Sequence, residues 1–149
     1  MNDFSAAKAI YIGSDHAGFA LKEVLVAALR EEGKNVVDMG PMNAERTDYP
    51  DYARTVCAKV LESGDPGILI CGTGIGMSIA ANRRHGIRAA VCTHEFHARA
   101  AREHNNANIL CIGERVTAPG LAVELARIFL SASFTGGRHE ARVAKIEII

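Results

Sequence analysis

The sequence predicts an α/β fold, a five-stranded parallel sheet with helices on both faces, and three observations predict it. Short apolar runs alternate five times with segments whose apolar residues recur every three or four positions. Glycine-rich or polar turns follow several of these runs, which is where open α/β sheets hold their ligands. The 149 residues are 48% apolar and 23% charged, a globular composition whose length suits a single domain, 1–149.

Ala9 to Gly13 reads as the first strand, ending in the polar Ser14-Asp15-His16-Ala17-Gly18. Phe19 to Glu32 carries Leu21, Val24, Leu25, Ala28 and Leu29 at helical spacing, with Gly33 as a C-terminal stop. Val36 to Asp38 is a second strand, and Met39 to Pro50, with two prolines and many polar residues, reads as a loop. Ala53, Val56, Cys57, Val60 and Leu61 make the next amphipathic helix, closed by Ser63 to Gly67. After the central stretch described below, Ile87 to Cys92 reads as a strand and Glu95 to Glu103 as a helix broken by Asn105-Asn106-Ala107-Asn108. Ile109 to Ile112 is the fifth strand, and Pro119 to Leu130 a helix with proline in its first turn. The whole is a Rossmann-like, three-layer α/β/α sandwich.

The tail departs from this alternation. Ser131 to Gly137 is small and polar, and Arg138 to Ile149 places His139, Val143 and Ile146 on one helical face with Arg138 and Arg142 beside it. A terminal helix on a flexible link is expected to dock on a partner subunit, and a symmetric dimer is the simplest partner. Arginines at i and i+4 repel unless an anion or a carboxylate stands between them, and Glu140 and Glu147 are available for that purpose.

The centre of the chain is Ile68-Leu-Ile-Cys71-Gly72-Thr73-Gly74-Ile75-Gly76-Met77-Ser78, a strand that delivers its end to a glycine-spaced turn opening a helix. Such a turn allows φ > 0, brings backbone amides close to a ligand and faces the positive end of a helix. The strand ends on a thiol, and beside such amides a thiolate is favoured. The other cysteines, Cys57, Cys92 and Cys111, read as small core residues; with no C-x-x-C pair, all four read as reduced. His85, His94 and His97 read as surface or helix residues, Asp48 as a cap for its loop, and His139 as packing or interface.

Zero formal net charge gives no electrostatic pull toward nucleic acid, and no run of about 18 apolar residues suggests a membrane span. No secretory leader is legible, so the expected location is the cytoplasm.

Several ordered motifs resemble the ribose-5-phosphate isomerase B family: Gly13-Ser14-Asp15-His16-Ala17-Gly18, Arg46-Thr47-Asp48-Tyr49-Pro50, Ile70-Cys71-Gly72-Thr73-Gly74-Ile75-Gly76, Ala80-Ala81-Asn82, His104-Asn105, Gly113-Glu114-Arg115 and Gly136-Gly137-Arg138-His139 with Arg142. The resemblance implies an isomerase of phosphorylated sugars, without metal or other cofactor, working as a homodimer or a dimer of dimers with shared sites. It implies Cys71 as the base moving a proton between C2 and C1, the amides from Gly72 through Gly74 and Gly76 to Ser78 as enediolate donors, and Thr73 on the sugar oxygens. His104 and Asp15 would open the furanose ring. His16, Arg115, Arg138 and Arg142 would hold the phosphate, one or both tail arginines crossing the dimer, while Tyr49 lines the pocket and Asn105 binds a hydroxyl. In the family branch lacking the cysteine base a glutamate acts a few residues further on. Met77 stands there, so the chain resembles the cysteine branch.

The substrate implied is ribose 5-phosphate, with four-carbon and six-carbon sugar phosphates as alternatives. Two further readings use the same residues. A nucleotide-binding module would share the glycine turn, with Glu95 imitating a ribose-binding acid, although the dinucleotide fingerprint needs glycine where Met77 stands. A sugar-phosphate sensor would bind without turnover.

Overall fold

The computed structural model describes residues 4–148, so Met1 to Asp3 and Ile149, included in the expected domain and tail, lie outside the described residues. Strands β1 (Ile10–Ser14), β2 (Val36–Asp38), β3 (Gly67–Cys71), β4 (Ala89–Val91) and β5 (Ile109–Gly113) form one parallel sheet in the order β2-β1-β3-β5-β4. The helices are α1 (Phe19–Glu31), α2 (Tyr49–Ser63), α3 (Ile75–Ala81), α4 (Glu95–Glu103), α5 (Pro119–Ser131) and α6 (Arg138–Ala144).

Side chains alternate across the sheet and build two cores. Ile68, Ile70, Leu110 and Ile112 meet α1, α4 and α5 on one face, while Leu69, Cys71, Ile109 and Cys111 meet α2 and α3 on the other. Because both faces of β3 and β5 are covered, their sequences are continuously apolar rather than alternating. Gly33 and Gly64, both at φ 77°, end α1 and α2 in the left-handed conformation that L-residues with a side chain resist.

Three expectations are corrected. Helix α2 begins at Tyr49, because Pro50 fits a helix's first turn, so the loop ends at Asp48. Asp48 does occupy the cap position, but its carboxylate makes no cap hydrogen bond. Strand β4 is three residues long instead of six: the Arg88 amide donates to Asn108 Oδ1 at 2.8 Å, and the Asn82 amide group engages both the N–H and the C=O of Ala89 at 2.8 Å.

Helix α1 is tied to the sheet by two long-range polar contacts. Glu114 Oε2 accepts the Leu21 amide at 2.9 Å, satisfying a donor of the first turn from the end of β5. Lys22 is fully buried, with its ammonium 2.7 Å from Asp38 at the end of β2 and 2.8 Å from Glu23. Asp38 in turn accepts the Gly40 amide at 2.9 Å, and so anchors the loop that follows β2. Removing one partner of a buried pair strands the other charge. Asp38→Ala should therefore lower unfolding free energy by about 3 kcal/mol, the low end because Glu23 remains. Lys22→Met should cost less in the same urea titration, because the Asp38 carboxylate it leaves behind is partly exposed and still accepts the Gly40 amide.

Candidate active site

The carboxyl ends of β1, β3 and β5 lie side by side, at the point where the chain leaves β1 toward β2 on one side and returns to β3 on the other. Ser14 pairs with Ile70, Cys71 pairs with Gly113, and the Asp15 amide donates to the Ile70 carbonyl at 3.2 Å. Gly113 is required there, since a Cβ on it would stand 2.5 Å from the Thr73 backbone.

The turn after Cys71 wraps over this edge. Of its glycines only Gly74 has positive φ, 80°, which aims its amide back at the Cys71 sulfur over 3.1 Å. Gly72 and Gly76 instead lie under neighbouring side chains. A Cβ on Gly72 would lie 3.3 Å from the Arg115 guanidinium, and one on Gly76 would lie 2.9 Å from the Tyr49 ring. The Thr73 hydroxyl accepts the Ile75 amide at 3.3 Å, and the Arg115 amide donates to Gly72 O at 3.0 Å. Among the described residues the amides of Thr73, Gly76 and Met77 have no internal acceptor. Ser78 is different: its amide donates to Gly74 O and its hydroxyl to Ile75 O, so its polar groups serve the helix.

Asp15 and His16 stand on the neighbouring strand end. Asp15 Oδ1 accepts the amides of Ala17 and Gly18 at 3.0 and 3.1 Å, which leaves its other carboxylate oxygen for other partners. His16 is held by Thr47, whose carbonyl lies 3.0 Å and whose amide lies 3.3 Å from Nδ1; the Thr47 hydroxyl also accepts the His16 amide at 3.0 Å. Nothing in the sequence marks Thr47 as the partner of His16, because the contact joins residues 31 apart.

The remaining expected residues form a second group. His104 caps the end of α4, and its ring stacks on His139 of α6 with centroids 4.5 Å apart. Slight desolvation, then His104, Arg138 and Arg142, hold the His139 imidazole below its ordinary pKa. Asn105 is exposed in a neighbouring cleft, and α6 buries no residue. Arg138 and Arg142 make no side-chain hydrogen bond or ion pair among the described residues, and Glu147, expected as their partner, pairs with His85 and Arg88 instead. This group lies at the amino edge of the sheet. His104 precedes Ile109 while Cys71 faces Gly113, so β5 alone separates the two by about 13 Å. His94 and His97 stack on each other at 3.7 Å on the exposed start of α4.

A thiol beside backbone donors suits proton transfer next to a developing negative charge. The family model described as ribose/galactose isomerase matches residues 10–146, and the chain belongs to that family. It is an aldose–ketose isomerase with a Rossmann-like fold. It is 48% identical over 143 residues to ribose-5-phosphate isomerase B of Escherichia coli strain K12, covering 95% of this chain and 96% of that one. A ribose 5-phosphate isomerase from Thermotoga maritima superposes with TM-score 0.93 at 51% identity, over 95% of this chain and 98% of the other. The Mycoplasma genitalium ribose-5-phosphate isomerase B with bound ribulose-5-phosphate superposes with TM-score 0.89 at 43% identity, over 94% of each chain.

The other thiols are set apart by their surroundings. Burial pushes Cys57 up to about 11, slightly opposed by Arg84, and Cys92 up to about 12; burial and then the neighbouring thiols raise Cys111 well above its usual value. Iodoacetamide at pH 8 should therefore alkylate Cys71 ahead of the other three, and peptide mapping by mass spectrometry reads the order.

Proposed function

We propose that the protein interconverts ribose 5-phosphate and ribulose 5-phosphate through an enediolate, with Cys71 as the base. The observation that carries this reading is the Gly74 amide aimed at the Cys71 sulfur beside amides that have no internal acceptor. The Cys71 thiolate takes the C2 proton of the open-chain aldose, and the charge moves onto the C1 oxygen. Thr73, Gly76 and Met77 amides meet that charge, at about 2.7–4 kcal/mol per well-aimed donor. The thiol returns its proton to C1, and one hydroxyl proton passes from O2 to O1. Asp15, with a carboxylate oxygen still available, and His104 assist ring opening. His16 and Arg115 grip the phosphate, which fixes C1 and C2 against the sulfur. Tyr49 walls the pocket. Ser78 contributes through the helix start it stabilises rather than through its own amide.

His104, Asn105, Arg138 and Arg142 complete a site of this kind only on a second copy of the chain, since they lie at the opposite edge from Cys71. A two-fold dimer supplies the match reciprocally, two shared sites per pair. An apolar surface beside the turn supports such a partner: Ile75, Ile79 and Val116 are 55%, 61% and 59% exposed. The four free thiols suit a reducing, cytoplasmic setting.

Turnover assays across four-, five- and six-carbon sugar phosphates test the substrate, and a preference for another chain length would reassign it. Cys71→Ser should lower kcat about 10²–10⁴-fold while substrate still binds. If that variant exchanges the C2 proton with deuterium at the wild-type rate, another residue is the base. Arg142→Ala should raise KM strongly. Mixing Arg142→Ala with Cys71→Ser subunits should restore activity through hybrid dimers holding one intact site, and a mixture no more active than its parts would refute shared sites.

A further inference from the structure

The tail helix α6 buries no residue of its own, yet it carries both arginines the shared site needs. Its start is stapled to α4, where Glu103 O accepts the amide and the hydroxyl of Thr135 at 3.0 and 2.7 Å. Between staple and helix stand Gly136 and Gly137, at φ 65° and 57°, a backbone pair free to hinge. Three residues past the end of α6, in a short 3-10 turn, a carboxylate ties the tail back to the domain. Glu147 accepts the Gly86 amide with both oxygens at 3.1 and 3.2 Å, lies 2.9 Å from His85 Nδ1 and 3.7 Å from the Arg88 guanidinium.

Arg88 does more than meet that carboxylate. Its Nε donates to the Asn106 carbonyl at 2.9 Å, within the turn that carries His104 and Asn105. The two side chains are 16% and 27% exposed, so solvent screens the pair less than it would a surface ion pair. Burial lowers the Arg88 pKa, and Glu147 is the charge opposing that shift.

We propose that the Arg88–Glu147 pair is a positioning device, locking the His104–Asn106 turn and the Arg138/Arg142 helix into one geometry so that both meet the neighbouring subunit's substrate together. The inference rests on the shared-site reading above. Arg142 lies about 6 Å along the helix from Arg138. A swing of about 10° at the glycine hinge thus moves it by about 1 Å, a displacement that can cost about 10²-fold at a reacting centre.

The test compares Glu147→Gln, Arg88→Gln, their double variant and Arg142→Ala with the wild-type enzyme. Glu147→Gln keeps the side chain's length and an acceptor for Gly86 but removes its charge. Its KM for ribose 5-phosphate should rise about fivefold or more with kcat within twofold, and the double variant should be no worse than Arg88→Gln alone. Trypsin should cleave after Arg142 and Lys145 faster than in wild type, with an unchanged melting temperature showing that the fold is intact. An unchanged KM in Glu147→Gln, together with a raised KM in Arg142→Ala, overturns the positioning role and leaves the shared site standing. An unchanged KM in Arg142→Ala overturns both. Glu147→Gln decides by itself if Arg88→Gln fails to fold.

Discussion

The pairing of Cys71 with Gly113 is the contact on which the rest of the site depends. It sets the end of β3 level with the end of β5, and the missing side chain at Gly113 lets the Thr73 backbone lie directly over it. Only then does the left-handed turn at Gly74 bring its amide onto the sulfur, and only then does α3 start with Gly76 and Met77 amides that have no acceptor among the described residues. The same strand end continues into Glu114, which caps α1, and Arg115, which packs against Gly72. Thus the loop, a helix start on the opposite face of the sheet and a cation are all referred to one rung of the ladder.

Charge is distributed over the molecule in a similarly economical way. Lys22 and Asp38 fix the far side of the β1 edge from within the core, where a stray rearrangement would leave a charge without water or partner. Arg88 and Glu147 meet at the amino edge, where both line a cleft. By contrast, Arg138 and Arg142 are exposed, with no partner side chain among the described residues.

The layers and the order of elements were legible because burial writes itself locally: β3 and β5 are unbroken apolar runs, and the helices keep a 3.6-residue period. The Cys71 turn was legible too, since glycine spacing and a terminal thiol lie in one short stretch. What escaped involves partners far apart in the chain. Thr47 meets His16 across 31 residues, Glu114 meets Leu21 across 93, and Glu147 reaches Gly86 across 61. No local pattern announces such contacts. The overlong fourth strand has the same origin, because Asn108 and Asn82 intercept backbone groups that the sequence assigns to a ladder. Glycine was over-read in the opposite direction: of the three turn glycines only Gly74 takes a positive φ, while Gly72 and Gly76 lie under the Arg115 and Tyr49 side chains.

The strand order also bears on how the chain is made. β4 pairs with β5 alone, and β3 needs β5 to cover its second edge, yet β5 is synthesised last of the five. On a ribosome adding about 5–20 residues per second, the roughly 40 residues from Cys71 to Gly113 take about 2–8 s. During that interval the apolar Gly67–Cys71 strand presents an open edge to whatever is nearby, and β4 has no strand to join. The strand that ends on Cys71 is therefore among the last parts of the sheet to be sealed, and a nascent chain stalled in this window carries an unpaired apolar edge.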